Sequence, residues 1–333
     1  MIIPARNEED NISKCLQSII NQDYPEEKVT IIIVNDHSKD NTIQKAENII
    51  SEFLLRNITI IDLKSNDPAQ SHKKEAIEMA IDTCKSDLII TTDADCWMGE
   101  KWISTVVSYI EQYKPKMVVS PVVFGISKGL FQGMQAMEFN SLIASTAGAI
   151  GMKLPIMANG ANLAFFRDAF KETDGYNREK EYASGDDVFL LHNFKRNYGN
   201  ASIHFLKNRD AIVYTKAAES LKTFYNQRVR WTSKSIAYQD KAIILTAVCV
   251  YLMNFCLLTG LIIGCFNISV LYITAIAFIL KLIVDLPILI SYTLFTKQKM
   301  VLKYIPLLLL FYPIYIIIIG TLGNFMPYKW RGK

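Results

Sequence analysis

What this sequence lacks removes several classes of protein at once. Its six cysteines (Cys15, Cys84, Cys96, Cys249, Cys256 and Cys265) include no C-x-x-C pair, and three of them lie inside apolar runs. That is neither a disulfide framework nor a zinc ligand set, and it indicates a reducing compartment for the soluble part. No basic patch interleaved with aromatics dominates, which makes nucleic acid a poor partner. Internal repeats and low-complexity tracts are also missing, so the chain is not an array of repeated units. Acidic residues are nearly absent from one region. Residues 242–333 hold seven Lys and Arg but only one acid, Asp285, a net of +6. Residues 1–241 hold 29 basic and 31 acidic residues, a net of −2, so the overall +4 averages two different materials.

The opening residues show no charged n-region followed by an apolar stretch, so they do not read as a secretory signal. Met1-Ile2-Ile3-Pro4 is a short strand with which to begin a domain. The expectation is a native chain that begins upstream of Met1, with room for a further membrane helix.

The first 120 residues alternate strand and helix signals. Val29–Asn35, Ile58–Leu63, Leu88–Thr92 and Met117–Val123 are short apolar, β-branched runs, as strands buried on both faces should be. Helical patterns fall at about 8–22, 40–56, 72–84 and 99–113. Strands separated by such helices imply βαβ units and a mainly parallel sheet, an α/β fold with ligands beyond the carboxyl ends of the strands. A helix near 128–150, a strand at 162–166, a helix of roughly 187–196, a strand near 211–215 and an amphipathic helix over 219–239 complete the soluble part.

The tail reads as membrane. Residues 242–266 carry no charge, 268–295 are interrupted by Lys281, Asp285 and Pro287, and 304–326 are uncharged with Pro306 and Pro313. Each exceeds the roughly 20 residues a helix needs to cross the hydrocarbon core. With the soluble part in the cytoplasm, Lys297, Lys299 and Lys303 obey the positive-inside rule, while Lys329, Arg331 and Lys333 break it. The long middle segment is therefore the one expected either to span or to re-enter. Lys281 and Asp285, spaced i, i+4, pair within one helix, serving either packing or function.

Four clusters carry candidate chemistry, each with two readings. Asp36 ends a strand, where it can accept hydrogen bonds from a ribose or base, or cap the next helix. Asp93 and Asp95 stand two apart after an apolar strand and so share a face. They are suited to a divalent cation such as Mg²⁺ with substrate phosphates, or they are two solvated turn acids. Asp186 and Asp187 open a helix, complementing its dipole or supplying a general base. Gln227, Arg230 and Trp231 share a helix face at i, i+3, i+4. Arg suits a phosphate and Trp a sugar, but the same helix also suits a membrane surface.

In order and spacing these clusters resemble the membrane-bound branch of family 2 of the glycosyltransferases. Ile2 to Glu9 resembles that family's first strand and loop. Val34-Asn35-Asp36-His37-Ser38-Lys39-Asp40-Asn41-Thr42 resembles its V-D-D-G-S-x-D-x-T segment. Lys73 resembles the lysine of K-G-x-A-x-N, although Lys74 and Glu78 stand where Gly and Asn are expected. Thr92-Asp93-Ala94-Asp95 resembles D-x-D, Gly160-Ala161-Asn162 resembles G-x-N, Asp186-Asp187 stands at E-D, and Gln227 to Trp231 resembles Q-x-x-R-W.

The resemblance implies a Rossmann-like GT-A domain over 1–218, an interfacial helix over 219–241 and a membrane region over 242–333. It implies an inverting, metal-dependent hexosyltransferase that uses Mg²⁺ or Mn²⁺ and a nucleotide-diphosphate sugar, UDP-linked. Asp36, Lys73, Asp93, Gln227 and Arg230 would bind the donor, and Asp95 with Asp93 the metal. Asp187 would be the catalytic base, and Asp186 and Trp231 would serve the acceptor, a lipid or a lipid-linked glycan. The expected location is the inner membrane, with the catalytic domain cytoplasmic and membrane lipids as partners. A processive polysaccharide synthase, a non-catalytic nucleotide-sugar scaffold and a transporter remain as alternatives.

Overall fold

The structure is a computed structural model that describes residues 1–53, 57–64, 72–125, 129–176 and 185–323. Its chain forms two compact units, one of Met1–Gly125 with Thr146–Lys216, the other of Ile126–Ser145 with the residues from Ala217 on.

The first unit is built on strands β1 (Ile2–Ala5), β2 (Ile31–Asn35), β3 (Ile58–Asp62), β4 (Leu88–Thr91), β5 (Trp97–Met98), β6 (Met117–Val119), β7 (Val122–Phe124), β8 (Leu163–Phe166), β9 (Ile203–Phe205) and β10 (Val213–Thr215). Seven of these form one sheet in the order β3-β2-β1-β4-β8-β6-β9, and β5-β10-β7 form a second. In the large sheet every pairing is parallel except the two made by β8. Ile2, Ile3, Ile32, Ile33 and Val34 are buried, as strands covered on both faces require. The expected α/β fold with a mainly parallel sheet is the one observed.

Helices α1 (Ile12–Ile20), α2 (Thr42–Glu52), α3 (Lys73–Thr83) and α4 (Trp102–Tyr113) follow their strands in βαβ fashion. The strand order reverses between β1 and β4, the place where α/β sheets open a cleft at their carboxyl ends. Helices α5 (Leu130–Gly151), α6 (Arg167–Glu172) and α7 (Asp186–Tyr198) complete the series to residue 200.

Two expected elements are differently cut. The run expected as one strand over 117–123 is two, divided at Ser120-Pro121, and the halves belong to different sheets. Proline offers no N–H to a ladder, so the chain changes sheet there. The helix expected over 219–239 is α8 (Leu221–Ser233) followed by a 3₁₀ turn to Ala237. Asp240 then restarts the chain as α9 (Lys241–Gly264) by accepting from the N–H groups of Ala242 and Ile243. Three short elements, β5, α6 and β9, carry too few residues to show a period and were not expected.

In the second unit α9, α10 (Ile268–Phe295) and α11 (Ile305–Leu322) make up the apolar tail. Among the described residues three helical stretches, Lys241–Gly264, Ile268–Phe295 and Lys299–Leu322, are long and apolar enough to cross a membrane. The middle one is a single helix through Pro287, about 42 Å long at 1.5 Å per residue. Helix α9 packs against both others, and Gly264 permits a close approach, since a Cβ there would lie 3.0 Å from Leu271. Lys281 and Asp285 pair as their spacing implies, with the Lys281 ammonium 5.6 Å from the Tyr312 ring centroid. Residues 324–326, Lys329, Arg331 and Lys333 lie outside the described residues.

The Gln135 side chain ties α5 to the start of α8 by mimicking a backbone. Its amide donates to the Ala218 carbonyl at 2.9 Å and accepts from the Ala218 N–H at 3.0 Å.

Candidate active site

The carboxyl ends of β1, β2 and β4 deliver the first site residues. Asp36 follows β2 and is buried. Both of its oxygens lie 3.2 Å from the Arg6 guanidinium, which follows β1, and the His37 ring is 3.1 Å away. Asp36 is therefore not capping α2. Asp40 holds that end instead, accepting from the Thr42 N–H at 3.1 Å. The loops after β1 and β2 are knitted together by bonds from the Glu8 N–H to Thr42 and from the Glu9 N–H to Asp40.

Lys73, the first residue of α3, brings together three regions far apart in sequence. Its ammonium lies 2.7 Å from Asp93 Oδ1 and 3.1 Å from Asp186 Oδ2. Burial works against the charge on Lys73, but the carboxylates of Asp186 and Asp93, with Asp187 behind them, outweigh it and hold the pKa above its ordinary value. Asp186 and Asp187 are the first residues of α7, and Gly185 turns the chain into that helix at a left-handed φ of 92°. Asp187 Oδ2 accepts from the Gly160 N–H at 3.4 Å. Gly160 is wedged tightly, because a Cβ on it would come within 2.8 Å of Asp186 Oδ2 and 3.2 Å of Lys73 Nζ.

Asp93, Asp95 and Cys96 bring one ligand atom each within 4.8 Å of one another. The Cys96 thiol lies 3.5 Å from Asp95 Oδ1. Burial and the two neighbouring carboxylates push its pKa well up. The other two donors are hard carboxylate oxygens, which suit Mg²⁺ or Mn²⁺.

Asn162, last residue of the G-x-N segment, is locked into the scaffold. Its Oδ1 accepts from Trp102 Nε1 at 3.0 Å, and its Nδ2 donates to the carbonyls of Pro121 and Ala211 at 2.8 Å each. It joins the point where the chain changes sheet to the approach to β10.

Gln227, Arg230 and Trp231 lie on α8 in the other unit. Gln227 Oε1 lies 3.4 Å from Arg228 Nη1, and the Trp231 ring packs on Phe139 with centroids 6.1 Å apart. Sequence reasoning missed two neighbours of this motif, Arg228 and Glu138. The signal was there to be read: Glu138 is the one charged residue of the 22-residue helix α5.

A Rossmann-like α/β sheet that opens onto a D-x-D turn, followed by apolar helices, defines a nucleotide-sugar transferase architecture. The family comparisons agree. The profile of glycosyl transferase family 2 matches residues 1–174, and that of glycosyl transferase family group 2 matches residues 88–327. The chain belongs to glycosyl transferase family 2.

Its relatives include glycosyltransferase AglE of Haloferax volcanii, 28% identical over 129 residues, covering 39% of this chain and 40% of that protein. Another, from Methanococcus voltae, is a dolichyl N-acetyl-alpha-D-glucosaminyl phosphate 3-beta-D-2,3-diacetamido-2,3-dideoxy-beta-D-glucuronosyltransferase. It is 23% identical over 237 residues, covering 69% of this chain and 70% of that protein. Several of the curated relatives are matched over about half of their own length or less. Among solved structures, the mannosyltransferase PcManGT of Pyrobaculum calidifontis, in complex with GDP-Man and Mn²⁺, shares the fold. Its TM-score is 0.58 at 17% identity, over 97% of this chain and 85% of that one.

Proposed function

We propose that this protein is a membrane-bound inverting glycosyltransferase that moves a sugar from a UDP-linked donor to a lipid or lipid-linked acceptor. Residues 1–218 form its catalytic part, 219–241 an interfacial helix and 242–333 its membrane region. The catalytic part faces the cytoplasm at the inner membrane, a placement supported by Lys297, Lys299 and Lys303 between α10 and α11.

The observation that carries the reading is the Lys73 junction, where one ammonium touches the carboxylates of Asp93 and Asp186, next to Asp187. In this reading Asp36 with its Arg6 and His37 partners receives the nucleoside, and Lys73 holds the donor side of the cleft. Gln227 and Arg230 hold the diphosphate. Asp186 and Trp231 serve the acceptor. Asp187 takes the proton of an acceptor hydroxyl while that oxygen attacks C1 of the sugar. The C1–O bond to the diphosphate breaks from the opposite face, which inverts the configuration. A divalent cation at Asp95 and Asp93, when bound, neutralises charge that develops on the departing diphosphate. The lipid-linked acceptor is supported by the name of the Methanococcus relative, and the cation by the Mn²⁺ in the mannosyltransferase complex.

The test is nucleotide release by protein in nanodiscs, with a panel of UDP- and GDP-sugars, Mg²⁺ or Mn²⁺, and native membrane lipids. Metal-dependent release from one donor, lost in Asp95→Ala, is expected. Asp187→Asn should lose about 10²–10⁴-fold in turnover while still binding nucleotide. Undiminished turnover in Asp187→Asn would remove it as the base, and a ladder of product lengths would replace the single-addition reading with a processive synthase.

A further inference from the structure

The Q-x-x-R-W helix carries a second arginine that the roles above leave unused. Arg228 is 2% exposed and forms an ion pair with Glu138, which is 4% exposed. The Tyr315 hydroxyl, from α11, donates to the other Glu138 oxygen at 3.1 Å. Burial raises the pKa of Glu138, while Arg228 and the Tyr315 hydroxyl work to keep it ionised. The Arg228 guanidinium carbon lies 4.2 Å from the Trp231 ring centroid and 4.7 Å from that of Phe224. Phe139, next to Glu138, packs on Trp231 as well.

A buried ion pair contributes little net stability, because desolvating both charges offsets their attraction. Apolar side chains of equal volume would serve packing as well. What they cannot supply is a flat cation held at a fixed angle on an indole face, which a guanidinium does and a lysine ammonium does poorly.

We propose that Arg228 is a positioning residue for Trp231. Glu138 and Tyr315 fix the guanidinium, the guanidinium fixes the indole plane, and the membrane helix α11 thereby sets the angle of the ring that meets the acceptor. The inference rests on the acceptor-site reading of Trp231 given above.

The experiment compares Arg228→Lys, the double variant Glu138→Gln/Arg228→Met, and Trp231→Ala, all as full chains in nanodiscs. The acceptor is a total lipid extract of the native membrane, and the donor is the sugar nucleotide active in the panel. Arg228→Lys keeps the ion pair but loses the flat stack. The double variant removes both charges at similar volume, so neither strands a buried charge. For both, the apparent KM for the lipid extract should rise about tenfold, with the Tm unchanged and a several-fold smaller change in the donor KM through the Gln227 contact. Acrylamide should quench Trp231 emission, isolated by subtracting a Trp231→Phe variant, more strongly than in the parent.

Three outcomes overturn the inference. One is a wild-type acceptor KM in both variants while Trp231→Ala is impaired, which leaves the acceptor reading standing. Another is a parallel loss of Tm and of both KM values, which marks the network as structural only. The third is normal transfer by Trp231→Ala, which removes the acceptor reading and this inference together.

Discussion

The Lys73 ammonium lies 2.7 Å from the Asp93 carboxylate, and that contact joins the start of α3 to the D-x-D turn after β4. The same ammonium reaches Asp186 at 3.1 Å, so a single cation stands among carboxylates drawn from two further parts of the chain. Without it, like charges would crowd the cleft uncompensated.

Lys73→Met should therefore lower turnover by about 10²-fold. Its stability effect has a defined pH window. The folded-state pKa of Lys73 is raised above the ordinary 10.5, so its contribution is fully present below that value and is lost only as pH rises through the higher folded value. The Tm gap between parent and variant should stay flat from about pH 6 to about pH 9. A gap that closes within that range would contradict the pairing.

Gly160→Ala tests the wedge between Asp186 and Lys73. The new methyl would sit 2.8 Å from Asp186 Oδ2, the mobile end of a side chain, so the carboxylate moves rather than the backbone. The expected result is a loss of roughly 10- to 10²-fold in kcat with the Tm nearly unchanged. A large fall in Tm with normal kcat would mean that the wedge is only structural.

Asn162→Ala should behave in the opposite way. The variant removes the Asn162 amide from Trp102 Nε1 and from the carbonyls of Pro121 and Ala211, of which the Pro121 carbonyl still accepts from the Val213 N–H at 3.0 Å. Three lost buried hydrogen bonds should cost about 2–4 kcal/mol, read by chemical denaturation, with nucleotide binding retained by the folded fraction. A stability within error of the parent would show that water or a shifted neighbour replaces the amide.

Much of the architecture was legible in the residues themselves, because strand and helix periods and apolar run lengths are local. Val29–Asn35 reads as a buried strand from seven adjacent residues, of which Ile31–Asn35 form β2, and α10 matches the apolar run 268–295 to the residue. The segment 117–123 failed for an equally local reason that carried too little weight: Pro121 breaks the ladder, yet which sheet each half joins depends on β8, β9 and β10. The motif order likewise named Asp93, Asp186 and Trp231 without saying what each would touch.

The sequence by itself thus determined the α/β alternation, the three apolar helices and the series of acidic and Q-x-x-R-W motifs that mark the family. Each is written in residues a few positions apart, where period, propensity and hydrophobic length act directly. Only the tertiary structure decided that Lys73 neutralises Asp93 and Asp186, that Asn162 is a scaffold lock, and that Arg228 is buried against Glu138, 90 positions away. Contacts of that range follow from how sheets and helices pack, and a charged side chain's partner cannot be read from its neighbours in the chain.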